Sequence, residues 1–476
     1  MELRKLLILT IILLPSIASL TVSRLSVEAG WSNGTINIKE DGSIDPSDAP
    51  IRRDGKTYVL TDDIIASEDG IIIERDNIIL DGNGHRVTGP FSFRGRGISL
   101  SNRVNVTIRN VKVEGFHYGI FLASSSNNTI ANNTFSNNTW NGIRLDSSSN
   151  DNTVLGNVLI NNGLFIWYSY SNTVLNNTVN GKPLVYLEGV SGLTVNNAGQ
   201  VILVNCRRIR VVNLNLSNAT VGVELLESSE NTIANNTLSN NLYGICLYNS
   251  SGNTITGNTI SKNRACGIRP YFSSNNNIYN NDFINNALQV SVYQSINSWD
   301  DSSRGNYWSN YTGVDTNNDG LGDTPYKIDS DNADRHPLMR PFTRFEFSSL
   351  NINPDSIKVG QSSTISVIIR NTGRRSGTFN VTLKVNNQVV KTETGALDPD
   401  QSTTVSFFYA PTSEGTYAID VNGLTGSLTV SKEELPLLII IGVVAVAVVA
   451  LAIILLRRKP KAEIPLPPPP PPPVSG

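Results

Sequence analysis

The residues able to do chemistry are few and widely spaced. The acids of the central chain are Glu114, Asp146, Asp151, Glu188, Glu224, Glu227, Glu230 and Asp282. Glycoside hydrolysis needs two carboxyl groups facing each other across a sugar. No acidic pair recurs at one position of adjacent repeats, and Glu224, Glu227 and Glu230 cluster around a single turn, so no catalytic residue is assigned. A lyase would add a basic residue, for which Arg269, two repeats from Glu224, is the candidate. Copper handling requires clustered Cys, Met or His. The chain has His85, His117 and His336, the internal Met339, and the scattered Cys206, Cys246 and Cys266. Further on, Asp315, Asn317, Asp319 and Asp323 place oxygen donors at alternate positions around Gly320. That spacing opens a calcium loop. Calcium is therefore the expected cofactor, although Tyr326 stands where an EF-hand would carry its bidentate Glu, and a turn held by its own Asx bonds is the alternative.

These side chains are carried by a repeat. Between residues 105 and 296 an N-x-I phrase, an Asn-rich turn and a G-I-x-L phrase recur. Examples are Asn127-Asn128-Thr129-Ile130 leading to Gly142-Ile143-Arg144-Leu145, and Asn231-Thr232-Ile233 leading to Gly244-Ile245-Cys246-Leu247. The period of about 20 to 24 residues belongs to repeat architectures. Apolar and polar residues alternate over three to five positions and no 3.6-residue stripe is sustained, so each unit predicts three short strands and three turns. That is one rung of a parallel β-helix, right-handed by the usual hand of parallel crossovers. Asn133, Asn157, Asn177, Asn236, Asn258 and Asn281 recur in register, predicting a stacked amide ladder. Asn132, Gly156, Asn176, Asn235, Gly257 and Asn280 precede them, as suits a left-handed turn.

In each G-I-x-L the x side chain points away from the core. Aligning the rungs predicts one vertical ladder: Ser99, Phe121, Arg144, Phe165, Tyr186, Ile202, Glu224, Cys246 and Arg269. Aromatic rings beside arginines on a flat sheet suit the stacking of sugar rings. Phe121, Arg144, Phe165, Tyr186, Glu224 and Arg269 are accordingly the candidate ligand-binding residues. A loop or a later domain covering this face is the alternative.

The 476 residues exceed one ordinary domain, and a formal charge of −2 argues against a nucleic-acid partner. Residues 1–19 read as a secretory signal. The β-helix is assigned to 30–298. A cap containing the calcium-like turn follows at 299–342, its Trp and Tyr residues closing the open end of the core. Strand-like runs at 343–432 predict a small Ig-like β-sandwich serving as a stalk. The apolar run 437–456 has the length of a transmembrane helix. Arg457, Arg458 and Lys459 would place the basic, Pro-rich tail, 457–476, inside. The resulting fold class is all-β with one transmembrane helix. The expected location is the cell membrane, single-pass, with the ectodomain outside. Sequons such as Asn33, Asn105, Asn132, Asn218, Asn235, Asn310 and Asn380 permit glycosylation of an exported chain.

The repeats resemble the carbohydrate-binding and sugar-hydrolase β-helix superfamily. Gly305-Asn306-Tyr307-Trp308, Gly322-Asp323-Thr324-Pro325-Tyr326 and Asp334-Arg335-His336-Pro337-Leu338 narrow the resemblance to NosD-like proteins over about residues 30 to 342. Val359-Gly360-Gln361-Ser362 and Asn371-Thr372-Gly373 are similar to CARDB domains of prokaryotic surface proteins, and the combination looks archaeal. The NosD resemblance implies a periplasmic accessory factor in the copper-site maturation of nitrous oxide reductase. Here His336 and Met339 would have to converge with a third ligand. The sequence therefore leaves three functions open: non-catalytic binding of polysaccharide or envelope glycan, or adhesion; a polysaccharide lyase or glycoside hydrolase; and a NosD-type copper-maturation accessory.

Overall fold

The computed structural model describes residues 30–32, 34–91, 94–342, 344–432 and 437–457. The assigned signal peptide and nearly all of the Pro-rich tail lie outside them, as does Asn33. The chain forms two units that part after Phe342.

The first unit is a β-solenoid built as two coils. In the first coil, one sheet stacks Ile36–Ile38, Ile71–Ile73, Arg96–Ser101, Tyr118–Ala123, Asn141–Asp146 and Leu164–Ile166, each parallel to the next. A second sheet runs from Thr57–Leu60 to Thr173–Leu175 and a third from Ile64–Ile65 to Thr178–Val179. Thr178–Val179 then pairs antiparallel with Lys182–Glu188. From that strand the second coil grows through Gln200–Val204, Val221–Leu226, Tyr243–Tyr248, Cys266–Tyr271 and Leu288–Val290, again in parallel. The β-solenoid expected over 30–298 is present, with one reversal inside it: the chain doubles back at Asn180–Gly181. Both residues hold positive φ, 50° and 77°. Asn-Gly adopts that pair readily, which is why it favours two-residue hairpins.

Sequence position explains each rung. Asn132, Gly156, Asn176, Asn235, Gly257 and Asn280 all have φ between 56° and 69°. The Asn after each turns inward. Asn133 Nδ2 donates to Asn157 Oδ1 at 3.0 Å, Asn157 to Asn177 at 2.9 Å, Asn236 to Asn258 at 3.0 Å, and Asn258 to Asn281 at 2.9 Å. Further ladders, such as Asn231–Asn253–Asn276–Asn297, occupy other corners. These amides satisfy backbone groups that the turns leave unpaired. The glycine of G-I-x-L also has a steric reason. A Cβ on Gly244 would lie 2.4 Å from the Gly267 carbonyl of the next rung, and one on Gly119 2.5 Å from that of Gly142.

Inside the coils run columns of Ile, Leu and Val. Large aromatics close the far end. Phe283, Trp308 and Tyr326 stack with ring centroids 4.3 Å apart at each step, and Trp299 lies beside them. Trp308 Nε1 donates to Asp334 at 2.8 Å and Trp299 Nε1 to Asn332 at 3.0 Å, so both buried indoles are satisfied.

The second unit contains a β-sandwich. A three-stranded sheet (Phe345–Asn353, Ser363–Asn371, Ser402–Tyr409) faces a five-stranded one. Ile365, Val367, Phe379, Val381, Phe407 and Leu428 belong to their shared core. The run after it forms one helix, α1 (Leu437–Leu456), with side chains described for residues 444–455. Among the described residues no helix is long and apolar enough to cross a membrane. The expected single-pass anchor, with an outside ectodomain and an inside tail, is corrected accordingly. An apolar run of suitable length in the sequence counted residues whose side chains lie outside that description.

Candidate functional site

The reversal at Asn180–Gly181 decides what happens to the predicted ladder. Strand pairing splits it in two. Ser99, Phe121, Arg144 and Phe165 stack on the first coil. Tyr186, Ile202, Glu224, Cys246 and Arg269 stack on the second. The two ladders do not form one exposed face, because much of the second packs against the first coil. Ile202, Glu224 and Cys246 are fully buried, and Phe165 is nearly so.

The junction is specified by polar side chains. Leu164–Ile166 is the last strand of its sheet, and its outer edge would present bare backbone groups. Gln200 supplies the missing pairing: its Oε1 accepts from Leu164 N–H at 3.0 Å and its Nε2 donates to Leu164 C=O at 2.6 Å. One rung further, the Glu224 carboxyl accepts from Ile166 N–H at 3.3 Å. Burial pushes the Glu224 pKa well above the usual carboxylate range, against the lowering effects of the Ile166 N–H and Arg144. Thr220 adds a bond to the Trp140 carbonyl at 3.1 Å, and the Tyr170 hydroxyl reaches Glu227 at 2.7 Å. Glu230 pairs with Arg207 on the surface. The three clustered glutamates therefore hold structure together rather than facing one another across a groove.

Between the coils lies a cleft of about 380 Å³, within the size range of small-molecule sites. Its walls include Trp140, Phe165, Trp167 and Tyr243. Arg144 and Arg269 are the two charged side chains lining it. Arg144 is already engaged: Nε donates to Asp146 at 2.8 Å, and the guanidinium sits 5.2 Å from the Phe165 ring centroid. Arg269 differs. It lies over the rings of Tyr243, Tyr248 and Tyr271 at 5.4, 5.9 and 5.8 Å, and donates to the Tyr243 hydroxyl at 3.3 Å. Among the described residues no carboxylate pairs with it. Burial raises the Tyr243 hydroxyl to about 12, so it stays a neutral acceptor for the guanidinium. Asn141 is also buried in the wall, and its Oδ1 has no hydrogen-bond partner among the described residues.

Cys266 lines the cleft and Cys246 is buried nearby; neither is in a disulfide. Burial pushes the Cys266 thiol up to about 12 and Cys246 well above the ordinary thiol value. Among the described residues no group of three or more His, Cys, Asp or Glu side chains could hold a metal ion. His336 Nδ1 faces Asp300 at 3.4 Å, and Met339 N–H bonds the Gly320 carbonyl.

The remaining predicted residues lie apart from the cleft. Phe121 sits under the Arg96 guanidinium at 4.4 Å, and the Tyr186 hydroxyl bonds Glu188. In the calcium-like turn, Asp315 accepts from Asp319 N–H at 3.1 Å and Gly320 N–H at 2.9 Å. Asp323 accepts from the Thr316 hydroxyl at 2.7 Å, and Asn317 donates to Asp319 at 3.0 Å. Of the six predicted ligand-binding residues, the structure brings Arg144, Phe165 and Arg269 to the cleft. Trp140, Asn141, Trp167 and Tyr243 were missed. The Asn-Gly pair at 180–181 was the signal that could have found them.

The solenoid that makes this cleft matches a known family. The model of the family described as periplasmic copper-binding protein (NosD) matches residues 38–207 and 190–313. This chain belongs to the NosD family. A CARDB model matches 345–423, within the sandwich. A protein of Stutzerimonas stutzeri named probable ABC transporter binding protein NosD is 43% identical over 81 residues, which is 17% of this chain and 18% of that one. Its namesake from Pseudomonas aeruginosa is 42% identical over 81 residues, 17% of this chain and 19% of that protein. The chain therefore spans less than a fifth of the length of these NosD relatives. Among solved structures, a CARDB domain from Pyrococcus furiosus in complex with di-metal ions covers 19% of this chain and 96% of its own, at 23% identity and a TM-score of 0.18. A β-glucosidase from Listeria innocua in complex with glucose covers 23% and 19%, at 16% identity and a TM-score of 0.19. Scores this low carry no argument about function.

Proposed function

We propose that this NosD-family protein is a non-catalytic binding component of the cell envelope that serves a transport system and holds its ligand in the cleft between the two coils. One observation carries this: the coils are locked by dedicated polar contacts from Gln200, Thr220 and Glu224, and the cleft they leave is aromatic-walled and lined by two arginines. The naming of NosD relatives as probable ABC transporter binding proteins supports the transport part. The chemistry of the walls supports binding: their ionisable groups are two guanidiniums, a phenol and a thiol, the last two with raised pKa values. A long polysaccharide fits this reading poorly, because the ladder expected to stack sugars is largely packed into the junction. Copper as cargo also finds little support in the cleft. Two buried thiols with raised pKa values lie beside a cation, and a metal must displace their protons.

The test is native mass spectrometry of the full chain after incubation with a small-molecule extract of its host. The unmodified protein is expected to retain a low-mass adduct, and Ser291→Trp, which fills the cleft, is expected to lose it while keeping the same far-UV spectrum. Equal retention by both, or by neither, overturns the proposal.

A further inference from the structure

Two groups in the cleft have unmet needs of opposite kinds. The Arg269 guanidinium is half-buried and has ring faces and a neutral hydroxyl for company, with no carboxylate among the described residues. Buried arginine is ordinarily paired, and its planar fork is suited to a two-oxygen anion. Asn141 Oδ1 is a buried acceptor with no donor. An unsatisfied buried polar atom costs free energy unless something occupies it. Phe165, Trp140 and Trp167 supply flat apolar faces between the coils.

Resting on the reading of the cleft as the binding site, we propose that its ligand is a small ring-bearing carboxylic acid with a hydroxyl or N–H donor on the ring. The carboxylate bonds Arg269. The ring lies against the aromatic walls. With the Asn141 amide turned toward the cleft, the donor satisfies its Oδ1. Arg144, neutralised by Asp146, contributes its planar face more than its charge. Two sources share this chemistry, aromatic acids with a ring N–H and sugar acids with ring hydroxyls. The cleft volume admits a single such molecule.

Isothermal titration calorimetry of the full chain tests this with indole-3-acetate and glucuronate, and with their neutral counterparts indole-3-acetamide and glucuronamide. At least one acid is expected to bind saturably, and at least tenfold more tightly than its amide. Which acid binds identifies the source. Arg269→Gln is expected to remove the difference between acid and amide, and Arg269→Lys to restore part of it. Arg264→Gln, outside this cleft, is expected to leave it unchanged. A thermal melt of each variant reports folding independently. Binding of acid and amide with equal affinity, or of neither, overturns the ligand class. If the acids fail while the unmodified chain still retains an adduct that Ser291→Trp loses, the ligand class falls and the cleft reading stands. If the adduct is absent as well, both fall.

Discussion

Asn258 offers the sharpest test of what holds the coils together. Its Oδ1 accepts from Asn236 N–H at 2.9 Å and Asn236 Nδ2 at 3.0 Å. Its Nδ2 donates to Ile233 C=O at 2.8 Å, Asn281 Oδ1 at 2.9 Å and Thr256 C=O at 3.2 Å. Asn258→Ala removes all five bonds. Asn236 Nδ2 keeps a bond to Val211 C=O, and Asn281 Oδ1 keeps the Asn258 N–H. The Asn236 N–H loses its side-chain partner in the dry interior, whereas the Ile233 C=O stays in the parallel ladder with Thr254–Thr256. One buried group left unpaired predicts a loss of about 1–3 kcal/mol. The companion change Asn280→Gly keeps a residue tolerant of positive φ at its position and is expected to stay within about 1 kcal/mol of the parent. The assay is urea unfolding followed by far-UV circular dichroism, with hydrogen–deuterium exchange on the peptide containing Asn236. A loss below about 1 kcal/mol with unchanged exchange at Asn236 would refute the view that amide ladders act as shared backbone partners.

Other consequences follow from the same geometry. Gly244→Ala forces a Cβ to within 2.4 Å of the Gly267 carbonyl and is expected to destabilise by at least the roughly 1–3 kcal/mol of an overpacked core, read as a lowered urea midpoint. Burial raises the Glu224 pKa, so the folded state holds a proton that the unfolded chain has released; stability should fall as pH rises above the unfolded carboxylate value toward the folded one. Glu224→Gln, keeping an acceptor for Ile166 N–H, is expected to flatten that fall in thermal melts at a series of pH values, and parallel pH profiles would sink the assignment. Burial likewise lifts Asp334 to about 6, so Asp334→Asn should lessen the loss of stability between about pH 4 and 6, measured the same way. For the turn at Asp315–Asp323, whose carboxylates already accept local N–H and O–H groups, calcium titration is expected to leave the melting temperature unchanged; a saturable rise that Asp319→Ala abolishes would instead establish a calcium site.

How much was legible in the sequence depended on range. The rung was readable because its causes are local or repeat at a fixed step. Asn132 and Asn176 favour positive φ wherever they stand, Asn133 and Asn157 meet because each rung places them at one corner, and the apolar alternation gives the strands their inner face. The aromatic cap was readable for a similar reason, since a solenoid core must end on something large and apolar. The sandwich was legible as alternating runs, though in Phe345–Asn353 a register shift between Ser348 and Asn351 puts the Phe345/Phe347 pair out of step with Leu350/Ile352, and Gln388–Leu397 is mostly exposed. The candidate site was not readable. Phe165, Glu224 and Arg269 occupy equivalent positions of the repeat, yet Phe165 and Arg269 line the cleft from different coils while Glu224 is sealed in the junction. Pattern alone gave them a common face. The hairpin at Asn180–Gly181 sent the second coil back against an open strand edge, and the cost of leaving that edge bare selected Gln200 and Glu224 as its partners. The sequence by itself determined the rung, its ladders and its family. Only the tertiary structure decided which side chains share the cleft, because that depends on contacts between residues tens of positions apart, brought together by a single reversal of direction.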